Sequence, residues 1–539
     1  MENKLLLLGD EAIAQGAIDA GLSGIYAYPG TPSTEITEYV QRSKEAREKN
    51  IRSEWSANEK TAMETALGMS YAGKRAMACM KHVGLNVAAD PFINSAITGA
   101  HGGLIVVSAD DPSMHSSQNE QDSRFYGKFA MIPILEPSNQ QEAYDMVHYG
   151  FNFSEKMKIP VLLRITTRLA HSRSAIKRNI SKEQNKGGLH DNLKQFILLP
   201  AIARKQYKDL LNKQSEFEKA SEESSFNKYI AGEDKKLGII ACGIANNYLM
   251  ENYPDRKVPY PVLKICQYPV PKKIIEKIYD ECDEILVLED GYPLVEEFLK
   301  GLLDKRKKIK GRLDGTIPRD GELNPNIVAT ALGKNFTKGK EIPEFIAGRP
   351  PSLCRGCSHN DTFLALNEAM SDYSKGRVFS DIGCYTLSAL KPLESINSCV
   401  DMGASIPMAI GAAEGGLVPS VAAIGDSTFS HSGITGLLDA VNNKSPITIL
   451  ILDNSTTAMT GGQKSSAFGK IENICLGVGV EKEHIHIIKP LIKYHEENVK
   501  IIKEELTYNG VSVIIPRREC IQTLNKRMRA KHKIKTKSL

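Results

Sequence analysis

Two polar turns in the C-terminal third of the chain have residue types that could bind a metal ion. Asp426 lies in the turn Gly425-Asp426-Ser427 after the apolar segment SVAAI, and Asn454 follows the apolar segment ITILILD. A helix-forming stretch separates them. This predicts two parallel strands that end at the same edge of a sheet, where ligands bind. Carboxylate, amide and carbonyl oxygens suit Mg²⁺ or Ca²⁺ holding a diphosphate. An ordinary strand–helix–strand crossover with a polar loop is the alternative interpretation.

A glutamate in the N-terminal third is the second candidate for chemistry. Glu59 lies in Ser56-Ala57-Asn58-Glu59-Lys60, at the start of a predicted helix rich in alanine and glycine. A carboxyl group that handles protons near neutral pH needs an apolar setting of this kind. Glu64, a little more than one helical turn on, faces elsewhere. The alternative role for Glu59 is helix capping or stabilisation of the helix dipole.

A C-x-x-C pair supplies the third candidate. Cys354 and Cys357 enclose Arg355 and Gly356, and His359 follows. The pair could hold an iron–sulfur cluster, act as a redox dithiol or bind zinc, for which His359 and Cys384 would complete a Cys₃His set. The spacing alone leaves these alternatives open.

The composition is that of a soluble globular protein. The chain has 539 residues, 41% of them hydrophobic and 25% charged, which allows about three domains. A net charge of +5 does not suggest nucleic-acid binding. No apolar run approaches the roughly 20 residues of a membrane span. Most of the 10 cysteines lie singly in apolar segments, as Cys79, Cys242 and Cys266 do, so no disulfide framework is expected and a reducing cytoplasm is predicted.

The pattern along the chain predicts an α/β protein with two larger parallel-sheet domains and one smaller domain. The first larger domain covers residues 1–190, with strands NKLLLLGD, GIYAYPG, RAMACMKH, GGLIVVSAD and PVLLRIT. A charged, solvated connector (191–234) leads to the small α/β domain (235–305). A linker (306–344) then leads to the second larger domain (345–525), and a basic tail (526–539) follows. The two larger domains are expected to be related and to share one ligand.

Strings along nearly the whole chain resemble the 2-oxoacid:ferredoxin oxidoreductases, and within them the large subunit of indolepyruvate ferredoxin oxidoreductase. The combination of NEK with C-x-G-C-x-H is specific, whereas TGGQ alone means little. The matching strings are AYPGTPSTEI (27–36), EWSANEKTAMETALGMSYAGKRAM (54–77), KHVGLNVAADP (81–91), HSSQNEQDSR (115–124), RPPSLCRGCSHN (349–360), SDIGCYTL (380–387), DMGASIPMAIGAA (401–413), GDSTFSHSGITGL (425–437) and TGGQ (460–463).

The resemblance implies a thiamine diphosphate fold with a pyrimidine-binding domain (1–190), a transketolase C-terminal-like domain (235–305) and a diphosphate-binding domain (345–525). It makes Glu59 the residue that activates the cofactor. Asp426, Asn454 and the Thr456 carbonyl become the Mg²⁺ ligands. The other cofactor contacts implied are Thr31, Gly84, Gly425 and Ser427.

The resemblance also assigns one [4Fe-4S] cluster to Cys354, Cys357, Cys384 and Cys520. Cys520 is the least secure of the four because no proline precedes it. The family's large subunit usually continues into a ferredoxin domain, whereas here NKRMRAKHKIKTKSL follows without a further cysteine motif. Electrons are therefore expected to leave through another protein. A small partner subunit is implied, in a heterotetramer of two large and two small subunits.

The predicted reaction is oxidative decarboxylation of arylpyruvates such as indolepyruvate, with CoA taking the acyl group and ferredoxin the electrons. His115, Asp122 and Arg124 form a polar loop where substrate is expected, and Arg124 could pair with its carboxylate. A loop ion pair is the alternative for Arg124. Two other functions remain open: a non-oxidative 2-oxoacid decarboxylase or carboligase with a structural zinc, and a non-catalytic assembly subunit.

Overall fold

The computed structural model divides the chain into two units, Met1–Lys340 and Glu341–Leu539. It describes residues 4–537 except 189, 193–194, 303–306, 319–320, 337–338, 340–342, 344, 347–351, 375, 400 and 415. Parts of the predicted linker, residues 349–351 of the RPPSLCRGCSHN match and the last two residues of the basic tail lie outside the described residues. Among the described residues, no helix combines the length and apolar character that crossing a bilayer requires.

The first unit alternates strands and helices. In chain order its elements are β1 (Lys4–Leu8), α1 (Gly9–Asp19), β2 (Gly24–Ala27), α2 (Thr34–Arg42), α3 (Lys44–Glu48), β3 (Arg52–Trp55), α4 (Glu59–Tyr71), β4 (Ala76–Lys81), α5 (His82–Val87), α6 (Ala89–Thr98), β5 (Leu104–Asp110), α7 (Arg124–Ala130), β6 (Ile134–Leu135), α8 (Gln140–Met157), β7 (Val161–Thr166), α9 (Thr167–His171), β8 (Arg173–Lys177), α10 (Pro200–Glu222), β9 (Lys228–Ile230), β10 (Leu237–Cys242), α11 (Ala245–Glu251), β11 (Val262–Ile265), β12 (Gln267–Tyr268), α12 (Lys272–Glu281), β13 (Glu284–Leu288), α13 (Leu294–Leu302), β14 (Lys308–Lys310) and α14 (Pro325–Ala331).

A seven-stranded sheet forms the centre of this unit, in the order β12-β6-β7-β5-β4-β2-β3. Its strands pair in parallel except β12, which adds antiparallel to β6. The segments AMACMK, LIVVSAD and VLLRIT are buried along their whole length because helices cover both faces of a parallel sheet. The carboxyl ends of β2, β4 and β5 therefore meet at one edge.

One expected strand lies elsewhere. The sequence suggests that NKLLLLGD joins the parallel sheet, but β1 pairs antiparallel with β8 in a separate two-stranded ribbon. Leu6 is 66% exposed. A strand with one solvent-facing side does not fit a sheet that helices cover on both faces. A run of leucines does not show whether one or both sides of the strand are covered.

The smaller sheet has the order β14-β13-β10-β11-β9, parallel except for β9. The predicted connector before it is mostly the helix α10, whose residues Leu210 and Phe217 are buried. One face of the connector is therefore packed rather than solvated.

The second unit contains β15 (Arg377–Ser380), β16 (Ser398–Cys399), β17 (Ser420–Gly425), β18 (Ile447–Leu452), β19 (Thr456–Thr457), β20 (Gln463–Lys464), β21 (Ile485–Ile488) and β22 (Val511–Pro516), and the helices α15 (Ser358–Met370), α16 (Ser405–Glu414), α17 (Asp426–Thr428), α18 (Ile434–Asn442), α19 (Ile471–Val478), α20 (His495–Leu506) and α21 (Ile521–Lys537). Its main sheet is entirely parallel, in the order β16-β15-β17-β18-β22-β21. Alternate residues of β17 and β18 enter two cores, one on each face. Both strands are therefore held from two sides, and their ends lie at the middle of the sheet.

Candidate active site

The acidic turn predicted at Asp426 lies at the carboxyl end of β17, beside the end of β18. Gly425 pairs with Leu452, so Asp426 and Asn454 continue from neighbouring strands at one edge. The Asp426 side chain is buried, its Oδ1 accepts the N–H of Ser427 at 2.9 Å, and its Oδ2 has no hydrogen-bond partner among the described residues. Burial raises the pKa of Asp426 to about 7, and the nearby Asp453 adds to the effect. A buried carboxylate oxygen without a partner is costly, so a cation fits here.

Asn454 completes the oxygen-rich edge. Its Oδ1 accepts the N–H of Thr456 at 3.1 Å, and Ser455 between them has a left-handed φ of 67°. The chain therefore reverses directly after Asn454, which brings Thr456 back to the same edge as the predicted ligand set requires. The acidic and amide oxygens at these neighbouring strand ends fit Mg²⁺, and the Thr456 carbonyl as a third donor stays a prediction.

His359 also faces this edge. It is buried in the first turn of α15, and its Nε2 lies 3.5 Å from Nδ2 of Asn454. Burial lowers the pKa of His359 to about 4, so the imidazole is neutral and can accept from the amide. The sequence suggested His359 only as a zinc ligand; its place after the C-x-x-C pair is the signal that could have linked it to the diphosphate edge.

The four cysteines assigned to a cluster lie together. Burial raises the pKa of Cys384 to about 11, and the neighbouring thiols of Cys357, Cys520 and Cys354 raise it further. Burial likewise raises the pKa of Cys357, with smaller effects from Cys354 and Cys520. Segments separated by more than 160 residues therefore bring their sulfur atoms into one group.

The chemistry of the thiol group suits more than one metal centre. Cysteine thiolates are ligands of zinc and of iron–sulfur clusters alike. The assignment of these four cysteines to one [4Fe-4S] cluster stays a prediction.

The thiol group and the acidic edge share contacts. The N–H of Cys520 donates to the carbonyl of Asn454 at 3.1 Å. The Thr428 hydroxyl, two residues after Asp426, donates to the carbonyl of Ile382 at 3.1 Å, just before Cys384. Cluster and diphosphate would therefore be held by the same loops.

Tyr385 fills the space between these loops. A Cβ on Gly425 would lie 2.7 Å from Cε1 of Tyr385, so glycine is needed at that position. The Tyr385 hydroxyl donates to Asp381, which also accepts from the Ser405 hydroxyl at 2.6 Å. Burial raises the pKa of Asp381 to about 7. Both residues belong to the string SDIGCYTL, but nothing local in the sequence shows that they face the glycine turn.

Glu59 is the first residue of α4 in the first unit. Asn58 caps the helix, its Oδ1 accepting from the N–H of Thr61 at 2.9 Å. Glu59 is buried, and a Cβ on Gly84 would lie 2.6 Å from its Oε1. Asn58 therefore provides the side-chain cap of this helix, and Gly84, having no side chain, makes room for the Glu59 carboxyl group.

A lysine that the sequence reasoning overlooked lies near the predicted Thr31 contact. Lys81 ends β4, and its Cβ would be 3.3 Å from a Cβ on Gly30. Its ammonium donates to the Ser116 carbonyl at 2.7 Å, and the Ser116 hydroxyl lies 3.3 Å from the Thr31 carbonyl. Burial lowers the pKa of Lys81 to about 8, with Asp111 opposing the shift. A lysine closing a fully buried strand is the signal that could have identified it.

The predicted substrate loop does not gather at one point. The Arg124 guanidinium is completely buried and bonded to Asp122, to Glu289 at 2.9 Å and to the Tyr268 hydroxyl at 3.1 Å. The exposed His115 lies apart, with its Nε2 3.4 Å from Glu322. These contacts favour the ion-pair alternative for Arg124.

Two family profiles match the chain. One, described as "Pyruvate flavodoxin/ferredoxin oxidoreductase, thiamine diP-bdg", matches residues 15–196. The other, "Thiamine pyrophosphate enzyme, C-terminal TPP binding domain", matches residues 381–514. They cover Glu59 and the Asp426 edge, respectively.

Among curated proteins, the chain is similar to indolepyruvate oxidoreductase subunit IorA of Archaeoglobus fulgidus, with 38% identity over 99% of this chain and 89% of that protein. The Pyrococcus horikoshii subunit is 39% identical over 96% of this chain and 86% of its own length. Among solved structures, a 2-oxoglutarate:ferredoxin oxidoreductase from Magnetococcus marinus shares the fold at a TM-score of 0.51 and 17% identity, over 62% of this chain and 65% of that one.

The fold, the thiamine profiles and the near full-length similarity agree with each other. The chain therefore belongs to the family of indolepyruvate oxidoreductase subunit IorA and is a thiamine diphosphate-dependent oxidoreductase of 2-oxoacids.

Proposed function

We propose that the chain catalyses oxidative decarboxylation of arylpyruvates, indolepyruvate among them, to arylacyl-CoA and CO₂, with electrons passing through one [4Fe-4S] cluster to ferredoxin. The observation that carries this proposal is the hydrogen bond from the Cys520 N–H to the Asn454 carbonyl, because it joins the thiol group to the diphosphate edge. An electron acceptor held this close to the cofactor is useful only if the reaction releases electrons.

The overall reaction balances without a further reactant. One 2-oxoacid anion and one CoA thiol give one acyl-CoA, one CO₂, one proton and two electrons. A single [4Fe-4S] cluster carries one electron at a time, so two transfers per turnover are needed. The name of the Archaeoglobus fulgidus relative supports an indolepyruvate-type substrate.

Each residue has a role that follows from its position. Asp426, Asn454 and the Thr456 carbonyl bind Mg²⁺ and through it the diphosphate, with Gly425 and Ser427 forming the turn. Glu59 exchanges a proton with the aminopyrimidine ring. Its carboxyl group packs against Gly84, where a larger residue would clash with it. Bound thiamine diphosphate supplies the carbon nucleophile for the 2-oxo group. Lys81 and Thr31 hold the substrate, with the Lys81 ammonium on its carboxylate.

The assembly follows from the same proposal. Residues 1–190, 235–305 and 345–525 act as the pyrimidine-binding, transketolase C-terminal-like and diphosphate-binding domains. The word "subunit" in the relatives' names supports a small partner chain, which we place in a complex of two large and two small subunits in the cytoplasm.

Iron analysis with matched cysteine variants tests the proposal. The complex purified without air should contain about four irons per large chain, the count of one [4Fe-4S] cluster. It should reduce methyl viologen only with an arylpyruvate and CoA together. Cys384→Ser should lose iron and viologen reduction. Cys399→Ser, a change of an exposed cysteine outside the thiol group, should keep both.

The non-oxidative alternative gives a different result. A zinc-containing, iron-free protein that releases CO₂ without CoA or an electron acceptor would contradict the proposal.

A further inference from the structure

Three side chains outside the sites already described meet in the first unit. Asp10 lies in the first turn of α1, Glu35 in the first turn of α2, and His171 ends α9. One ligand atom from each lies within 4.8 Å of the other two. Two of these helices, α1 and α2, follow each other along the chain, whereas α9 comes more than 120 residues later.

The acidic groups of this cluster have buried oxygens without partners. Asp10 is completely buried, and neither of its carboxylate oxygens has a hydrogen-bond partner among the described residues. Oε2 of Glu35 is likewise closed to solvent and has no hydrogen-bond partner among the described residues. It forms an ion pair with His171, whose Nε2 lies 3.8 Å away. Burying the Asp10 oxygens without a partner is costly.

Helix capping does not account for Asp10. A carboxylate in the first turn of a helix commonly accepts backbone N–H groups there. Asp10 accepts none, whereas the neighbouring Glu11 accepts the N–H of Leu8 at 2.9 Å. The Asp10 oxygens therefore point to the space shared with Glu35 and His171.

The donor set and its charge fit a divalent ion. Two carboxylates and a neutral imidazole balance a charge of two. A first-row ion with bonds of about 2.0–2.2 Å spans donor atoms up to about 4.4 Å apart. Small rotations of Glu35 and His171 close the remaining gap, because both side chains are about one-third exposed. Imidazole among the donors favours a transition ion such as Mn²⁺, Fe²⁺ or Zn²⁺ over Mg²⁺.

We infer that Asp10, Glu35 and His171 bind one divalent transition-metal ion that ties the starts of α1 and α2 to the end of α9. Glu35 follows the Gly30–Ser33 turn, where the N–H of Gly30 donates to the Thr34 hydroxyl at 3.0 Å. The ion therefore fixes the start of α2 and, through it, the preceding turn that contains Thr31. The site is separate from the Mg²⁺ ligands, which belong to the second unit.

Manganese binding to the full-length protein tests the inference. Thiamine diphosphate and excess Mg²⁺ are present to fill the diphosphate edge, and free Mn²⁺ is counted by its EPR signal. Wild type should bind one Mn²⁺ per chain more than Asp10→Asn, an isosteric change that removes the charge. Asp90→Asn, at an exposed aspartate of α6, should bind as wild type does, and His171→Gln should bind at least tenfold more weakly.

Unfolding temperatures separate loss of the ion from loss of the fold. Without added metal, Asp10→Asn should unfold at or above the wild-type temperature, because it removes a buried acid without partners. Mn²⁺ should raise the wild-type temperature and leave that of Asp10→Asn unchanged. Equal Mn²⁺ binding by wild type and Asp10→Asn, or none by either, would overturn the inference and leave Asp10 as a protonated acid.

Discussion

At the scale of single residues, burial decides what the candidate groups can do. Glu59 and Lys81 are both buried in the first unit, and each packs closely against a glycine, Gly84 and Gly30 respectively. Substitutions that keep size and remove charge or acidity therefore test their chemistry without disturbing packing.

Replacing Glu59 with glutamine should lower kcat by at least about 100-fold, the usual size of an acid–base contribution. The affinity for thiamine diphosphate should change little, because the proposal assigns the diphosphate and its ion to residues of the second unit. Steady-state rates and calorimetric titration of the cofactor measure the two effects. Glu64→Gln, at an exposed glutamate of the same helix, is the control. Near wild-type turnover in Glu59→Gln would show that the carboxyl group is not the activating acid.

Replacing Lys81 with methionine should raise KM for the arylpyruvate about 10- to 100-fold, since a hydrogen bond to a charged group contributes about 1.5–3 kcal/mol. The KM for CoA should stay as in wild type. Lys128→Met, at an exposed lysine of α7, controls for the loss of a positive charge. An unchanged KM for the 2-oxoacid would remove Lys81 from the substrate site.

At the scale of elements, the sequence predicts where strands lie and end, but not which strands a sheet contains. Continuous apolar runs identified β4, β5, β7, β17 and β18. Asp426 and Asn454, expected after the last two, lie at the carboxyl ends of neighbouring strands. The leucine-rich run of β1 predicted a strand of the parallel sheet, and this was wrong, because such a run does not show which faces of the strand are covered. The sequence could not choose between the two roles of Arg124, because its partner Glu289 is 165 residues away along the chain.

The packing of α8 predicts a pH dependence of stability. Burial lowers the pKa of His148 to about 4, and its Nε2 has no hydrogen-bond partner among the described residues. The unfolded chain takes up this proton near the free-histidine pKa of about 6.5. The free energy of unfolding should therefore fall between about pH 6.5 and 4, by up to about 1.4 kcal/mol per pH unit.

His148→Phe should remove most of this slope, since phenylalanine keeps the ring and does not titrate. The single tryptophan, Trp55, lies in β3 of the same unit and reports its urea unfolding by fluorescence. His495→Gln, in the second unit, should leave that slope unchanged. The same slope in His148→Phe and wild type would mean that another group causes the acid sensitivity.

At the scale of the whole molecule, local motifs identified the cofactor class but not the contacts between distant segments. The turns around Asp426 and Glu59 could be predicted because each is contiguous in sequence. The Asp10, Glu35 and His171 cluster could not, because its members are up to 161 residues apart and only the folded helices bring them together. The domain boundaries expected from sequence stay a prediction, while the chain divides into two units near residue 340.

The hydrogen bond between Cys520 and Asn454 has a consequence for how the protein ages in air. If the proposed cluster is present, oxygen that attacks it removes iron from the same loops that form the proposed diphosphate edge. Oxidative damage would then appear first as a loss of vitamin-derived cofactor. Adding thiamine diphosphate alone would not restore such molecules, and repair would have to begin with the iron.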